Sequence, residues 1–185
     1  MRIRSTLTVA ATAIFFSTAA IGRPPVAGKV TSGSTFSVRD AGERRLEVTS
    51  AGVTFTSRDA LEGALLLKAA RLTLERGQGW FRLLHLPGER PGVHPARARA
   101  GFGAKYGHWQ PHWNYFQAKE GWQPWHPEWS APFWTREVDR KNVERFELHA
   151  MIELGRGPLP RVGQTVFDAA AVRADLEPRY GRAAD

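Results

Sequence analysis

Three histidines and two glutamates in the middle of the chain are of the residue types that bind metals. His108, His112 and His126 share one segment with Glu120 and Glu128. Neutral imidazoles joined by a carboxylate favour zinc or copper. His108 and His112 are four apart, so a helical turn would bring both rings to one side. Pro111 between them works against that turn, and the spacing matches no defined metal motif. Structural or solvated histidines are the plainer reading. The expectation is therefore no resident cofactor, with a periplasmic zinc- or copper-binding protein as the alternative.

The same segment is dense in aromatic residues. Six of the seven tryptophans, Trp109, Trp113, Trp122, Trp125, Trp129 and Trp134, fall between positions 109 and 134, together with Tyr115, Phe116 and Phe133. Aromatic faces stack on the apolar faces of sugar rings, and indoles suit a lipid headgroup boundary where Arg and Lys meet anionic groups. A binding surface is one reading of these six tryptophans. The other is structural: rings packed among prolines over an open sheet face complete a core and stiffen an irregular segment.

Catalytic patterns are missing. The chain holds no nucleophile elbow, no helical His-Glu metalloprotease pattern, no phosphate loop and no dinucleotide fingerprint. Ser, His and Asp are present, but nothing in their order marks a triad. His149 falls on the polar side of a strand beside Glu147 and Glu153, where an exposed ion pair is the expected role. The expectation is a protein that is not an enzyme.

These residues need elements to position them. Leu46, Val48, Val53 and Phe55 lie in a first strand over 45–55, with a bulge or bend expected at Ala51-Gly52. Thr56 and Ser57 supply a capping hydroxyl and Asp59 an early acid. Leu61, Ala64, Leu65, Ala69 and Leu72 then recur at helical spacing, which predicts a helix from Arg58 to Arg76 ended by Gly77. A second strand spans Trp80 to Leu86. Residues 88–137 show neither period and read as a long irregular excursion. Phe146, Leu148, Ala150, Ile152 and Leu154 alternate with polar residues as a strand with one dry face. Asp168 caps a short last helix that ends before Pro178. The fold class that follows is α+β: a small, mostly antiparallel sheet with one long and one short helix on one face.

The N-terminus carries Arg2 and Arg4, an apolar run from Leu7 to Phe16, and small residues through Gly22. That is the order of a secretory signal peptide, with cleavage expected after Ala20 or Gly22. The run is about half the roughly 20 residues that a membrane span needs. A buried N-terminal helix is the weaker alternative, because no charge falls between Arg4 and Arg23. Residues 1–22 are thus read as a leader, 23–40 as a flexible linker rich in Pro, Gly, Ser and Thr, and 41–182 as one domain. The chain has no cysteine, so neither disulfides nor thiolate metal sites are available. The net charge of +8 becomes 8 − 2 = +6 once Arg2 and Arg4 leave with the leader. A basic exported protein meets cell-wall polymers, an anionic membrane surface or envelope proteins. No nucleic-acid motif is present, and no nucleic-acid partner is expected.

Several motifs in order resemble a family of uncharacterised small cell-envelope lipoproteins known mainly from alphaproteobacteria. They are Phe55-Thr56-Ser57-Arg58 leading to the run Leu67 to Gly77 and Trp80-Phe81; Trp122, Trp125, Pro127 and Pro132-Phe133-Trp134; and Gly155-Arg156-Gly157-Pro158 followed by Phe167-Asp168-Ala169. The likeness covers about residues 36–182. It implies an envelope location and a protein without assigned catalytic residues. Members of that family place a lipid-accepting cysteine at the end of the leader, where this chain has Ile21-Gly22-Arg23. The expected protein is therefore an exported, periplasmic or peripherally envelope-associated structural or interaction module.

Overall fold

The computed structural model describes residues 28–29, 34–52, 58–84, 102–125, 143–160 and 166–185. Strands β1 (Gly28–Lys29), β2 (Ser34–Asp40) and β3 (Arg45–Gly52) come first, followed by helix α1 (Arg58–Glu75) and β4 (Trp80–Leu84). A short helix α2 (Phe102–Tyr106) leads to the hairpin β5 (His112–Gln117) and β6 (Gly121–Trp125). The chain closes with β7 (Val143–Gly155), β8 (Val166–Asp168), α3 (Ala169–Tyr180) and a 3-10 turn at Gly181–Ala183. The architecture is α+β, as the periodicities predict.

Every strand pairing is antiparallel. The sheet is organised by β7. One of its edges pairs with β3 from Phe146 to Glu153. Its other edge is shared end to end, with β5 along His149 to Val143 and β4 along Met151 to Gly155. β8 pairs with the outer edge of β4 and β6 with that of β5, so the sheet forks on this side.

Strand parity sorts the side chains into two faces. Leu46 and Val48 of β3, Phe81 and Leu83 of β4, and Phe146 through Leu154 at alternate positions of β7 are all buried, and α1 packs across these three strands. Helix α1 is rich in Leu and Ala, both strong helix formers, and its leucines 61, 65, 66 and 67 enter this core. It ends where Gly77 takes φ +67°, the left-handed conformation glycine adopts without steric cost. Tyr106 of α2 donates its hydroxyl to Asp175 of α3 at 2.8 Å, tying the two helices. Burial and that carboxylate push the phenol pKa well up.

Helix α3 begins as the sequence predicts. The Asp168 carboxylate accepts a hydrogen bond from the Ala171 amide at 2.8 Å. Asp168→Ala should cost about 1 kcal/mol through the lost cap, read as a lower urea midpoint at unchanged m-value. An unchanged midpoint would show that the cap contributes nothing.

The structure corrects several boundaries. Residues 34–40, expected in a flexible linker, form β2. Their Ser and Thr residues hide an alternation in which Phe36 enters the core and Val38 packs against it. Ala51 and Gly52 stay in register with both β2 and β3's other partner β7, so no bulge interrupts β3 there. Part of the 88–137 excursion is regular, as α2, β5 and β6. Helix α3 runs through Pro178 to Tyr180 instead of stopping before the proline. The leader 1–22, including Leu7 to Phe16, lies outside the described residues, as do Val53, Phe55, Thr56, Ser57 and 126–137. Among the described residues, no helix is long and apolar enough to cross a membrane.

Candidate functional site

The β5–β6 hairpin carries aromatic side chains on both faces, and strand parity divides them. Trp113 and Trp125 are cross-strand partners on the inner face, both buried, with rings edge-on at 5.1 Å. Trp109, just before the hairpin, is fully buried and meets Phe81 and Phe167 edge-to-face. A buried indole N–H needs an acceptor. Glu62 of α1 serves both: its backbone carbonyl accepts from Trp109 Nε1 and its carboxylate from Trp113 Nε1, each at 3.1 Å. Trp109, Trp113 and Trp125 are therefore core. Sequence reasoning assigned Glu62 no role; its only trace was an acid on the apolar side of a helix.

Trp122 points the other way and is 41 % exposed. Its cross-strand partner is Phe116, which in turn stands opposite Arg145 of β7. The three side chains form one row across three strands on the outer face. The Arg145 guanidinium lies 4.8 Å from the Phe116 ring centre and 5.6 Å from that of Trp122, a double cation–π contact. Trp129 and Trp134 lie outside the described residues. Phe116 was legible as an aromatic neighbour of Trp122; Arg145 was not, because only the β5–β7 register brings it there.

Further along the same face the acids are already engaged. Glu47 accepts from Arg39 at 2.7 Å and Glu153 from Arg82 at 2.7 Å. His149 stands between Thr49, whose hydroxyl lies 3.1 Å from Nδ1, and Glu147, 3.1 Å from Nε2. A neutral imidazole protonated at Nε2 satisfies both contacts, accepting from Thr49 and donating to Glu147. The polar partner expected at His149 is thus Glu147, while Glu153 belongs to Arg82. Arg145 has no carboxylate partner among the described residues.

Two of the three histidines of the metal alternative, His108 and His112, are described, and they are placed separately. No helical turn joins His108 and His112, since α2 ends at Tyr106 and His112 opens β5. The His108 ring stacks on Phe167 of β8 at 4.6 Å, and burial pushes its pKa down, favouring the neutral form. His112 stands opposite His149 on β7. His126 lies outside the described residues. Among the described residues, no group of three or more His, Asp or Glu side chains is arranged to hold a metal ion.

Comparison of the chain with protein-family models, with curated proteins and with solved structures gives no match in any of the three.

Proposed function

We propose that this chain is an exported, envelope-associated interaction module without catalytic activity, and that it makes contact through the outer face of β5, β6 and β7. One observation carries the reading: a tryptophan exposed on a sheet face, backed by Phe116 and Arg145, while Trp109, Trp113 and Trp125 are spent on the core. Burying an aromatic ring is favourable, so one held outward on a rigid strand serves a partner better than it serves the fold. The basic leader pattern and the net charge of +8 support the envelope as the setting.

The test is co-sedimentation of the purified protein with wall material and, separately, with anionic liposomes, at low and high salt. Pelleting is expected to survive salt in part and to fall several-fold in Trp122→Ala. Arg82→Ala, on the same face but beside Glu153, is expected to pellet like the parent. Absence of pelleting in both arms, or pelleting indifferent to Trp122, overturns the reading and directs the search to protein partners. Fusion of residues 1–22 to a periplasm-dependent reporter checks export independently, and an inactive reporter would remove that part of the proposal.

A further inference from the structure

The outer-face row also has chemistry specific enough to name a ligand class. We infer that Arg145, Trp122, Phe116 and Asn114 form a binding site for an acidic sugar, a glycan unit that carries a carboxylate; the inference rests on the outer face being the contact surface.

Charge comes first. Three described acids on this face already have basic partners: Glu47 has Arg39, Glu153 has Arg82, and Glu147 is hydrogen-bonded to His149. Arg145 has no carboxylate partner among the described residues; it is exposed and stacks on aromatic rings. A guanidinium carries five N–H donors and no acceptor, and contact with ring faces leaves those donors for an anion. A carboxylate matches that fork with two parallel hydrogen bonds.

Shape comes second. Arg145 and Trp122 flank Phe116 in a single row, so a ligand held by the guanidinium lies beside the exposed indole. The apolar face of a sugar ring fits that indole. In the next row along β5 and β7, about 7 Å away, Asn114 stands opposite Glu147. Asn114 has no side-chain hydrogen bond among the described residues, leaving its amide to both donate to and accept from sugar hydroxyls.

The polar second row also argues against a lipid surface as the occupant. Immersing the face in a bilayer boundary would strip water from Asn114, Glu147, His149 and Thr49, at a cost for each group left unpaired. A hydroxylated ligand meets the same groups with hydrogen bonds.

The experiment is titration of the purified protein with a galacturonic acid trisaccharide and with the uncharged galactose trisaccharide, followed by saturation-transfer NMR and indole fluorescence. The acidic sugar is expected to bind at least tenfold more tightly, with saturation strongest on the ring protons that face Trp122. Arg145→Gln should remove that tenfold preference and leave the weak neutral binding in place, while Arg145→Lys should keep only part of it. Circular dichroism checks that these surface variants fold. Equal affinity for the two sugars, or a preference that survives Arg145→Gln, overturns the inference. Binding of anionic liposomes but of neither sugar overturns it in favour of a headgroup. In each of these cases Trp122-dependent pelleting on wall material or liposomes would still support the outer face as the contact surface, so the two readings fail separately.

Discussion

Glu62→Ala is expected to destabilise the protein by about 3–5 kcal/mol, close to the whole stability of many domains of this size. The Glu62 side chain is fully buried and that of Arg58 is 16 % exposed, with Arg58 Nε 2.6 Å from the carboxylate. The same carboxylate accepts from Trp113 Nε1. Removing it takes from the Arg58 guanidinium and the Trp113 indole N–H the acceptor they share, in a site with little water, and leaves a cavity behind them. Glu62→Gln should cost less, since its carbonyl oxygen still accepts from Trp113 while the charge that balances Arg58 is lost. Urea titration followed by tryptophan emission reads both effects, with the emission of the folded alanine variant shifted to the red. If Glu62→Ala and Glu62→Gln unfold at the same midpoint, the indole contact contributes nothing. If both unfold with the parent, the buried pair contributes nothing either.

Gly155→Ala should be the most costly small substitution on the sheet's outer side. Trp80 is the direct cross-strand partner of Gly155, and its ring lies flat over the glycine. A Cβ at 155 would stand 2.0 Å from Cζ2 and 2.3 Å from Cε2 and Cη2 of that ring. The ring must swing away, and the expected loss is about 1–3 kcal/mol. Trp80 Nε1 is buried with no hydrogen-bond partner among the described residues, so packing holds the indole in place. A double-mutant cycle therefore distinguishes this account from a general effect on β7. Trp80→Leu together with Gly155→Ala should cost clearly less than the sum of the two single changes. Strict additivity would mean that the ring is not what excludes a side chain at 155.

The elements legible in the sequence are those whose side chains differ sharply between faces. α1 shows helical periodicity because Leu and Ala recur on its buried side, and β7 shows alternation because Glu147, His149 and Glu153 separate its apolar residues. The hairpin β5–β6 hides its period because both faces are aromatic: Trp113 points inward and Phe116 outward, Trp125 inward and Trp122 outward. Pro124 also argues against a strand, yet among the described strands β6 pairs only with β5, and proline is tolerated on such an edge. The tryptophan cluster was visible as a group, but its division into core and surface depends on strand parity, which composition does not contain. Arg145 and Asn114 were out of reach for a related reason, since their roles depend on a register between segments about thirty residues apart.

The sharing of one β7 edge by two strands has a consequence for the order in which the chain acquires structure. Before β7 emerges, the described strands can form only local hairpins: β1 with β2, β2 with β3, and β5 with β6. β4 pairs with no earlier strand at all. The sheet therefore closes late and cooperatively, through contacts that span up to about a hundred residues, the kind of topology that folds slowly. A nascent chain of this design lacks the strand that joins its hairpins until residues 143–155 have been synthesised.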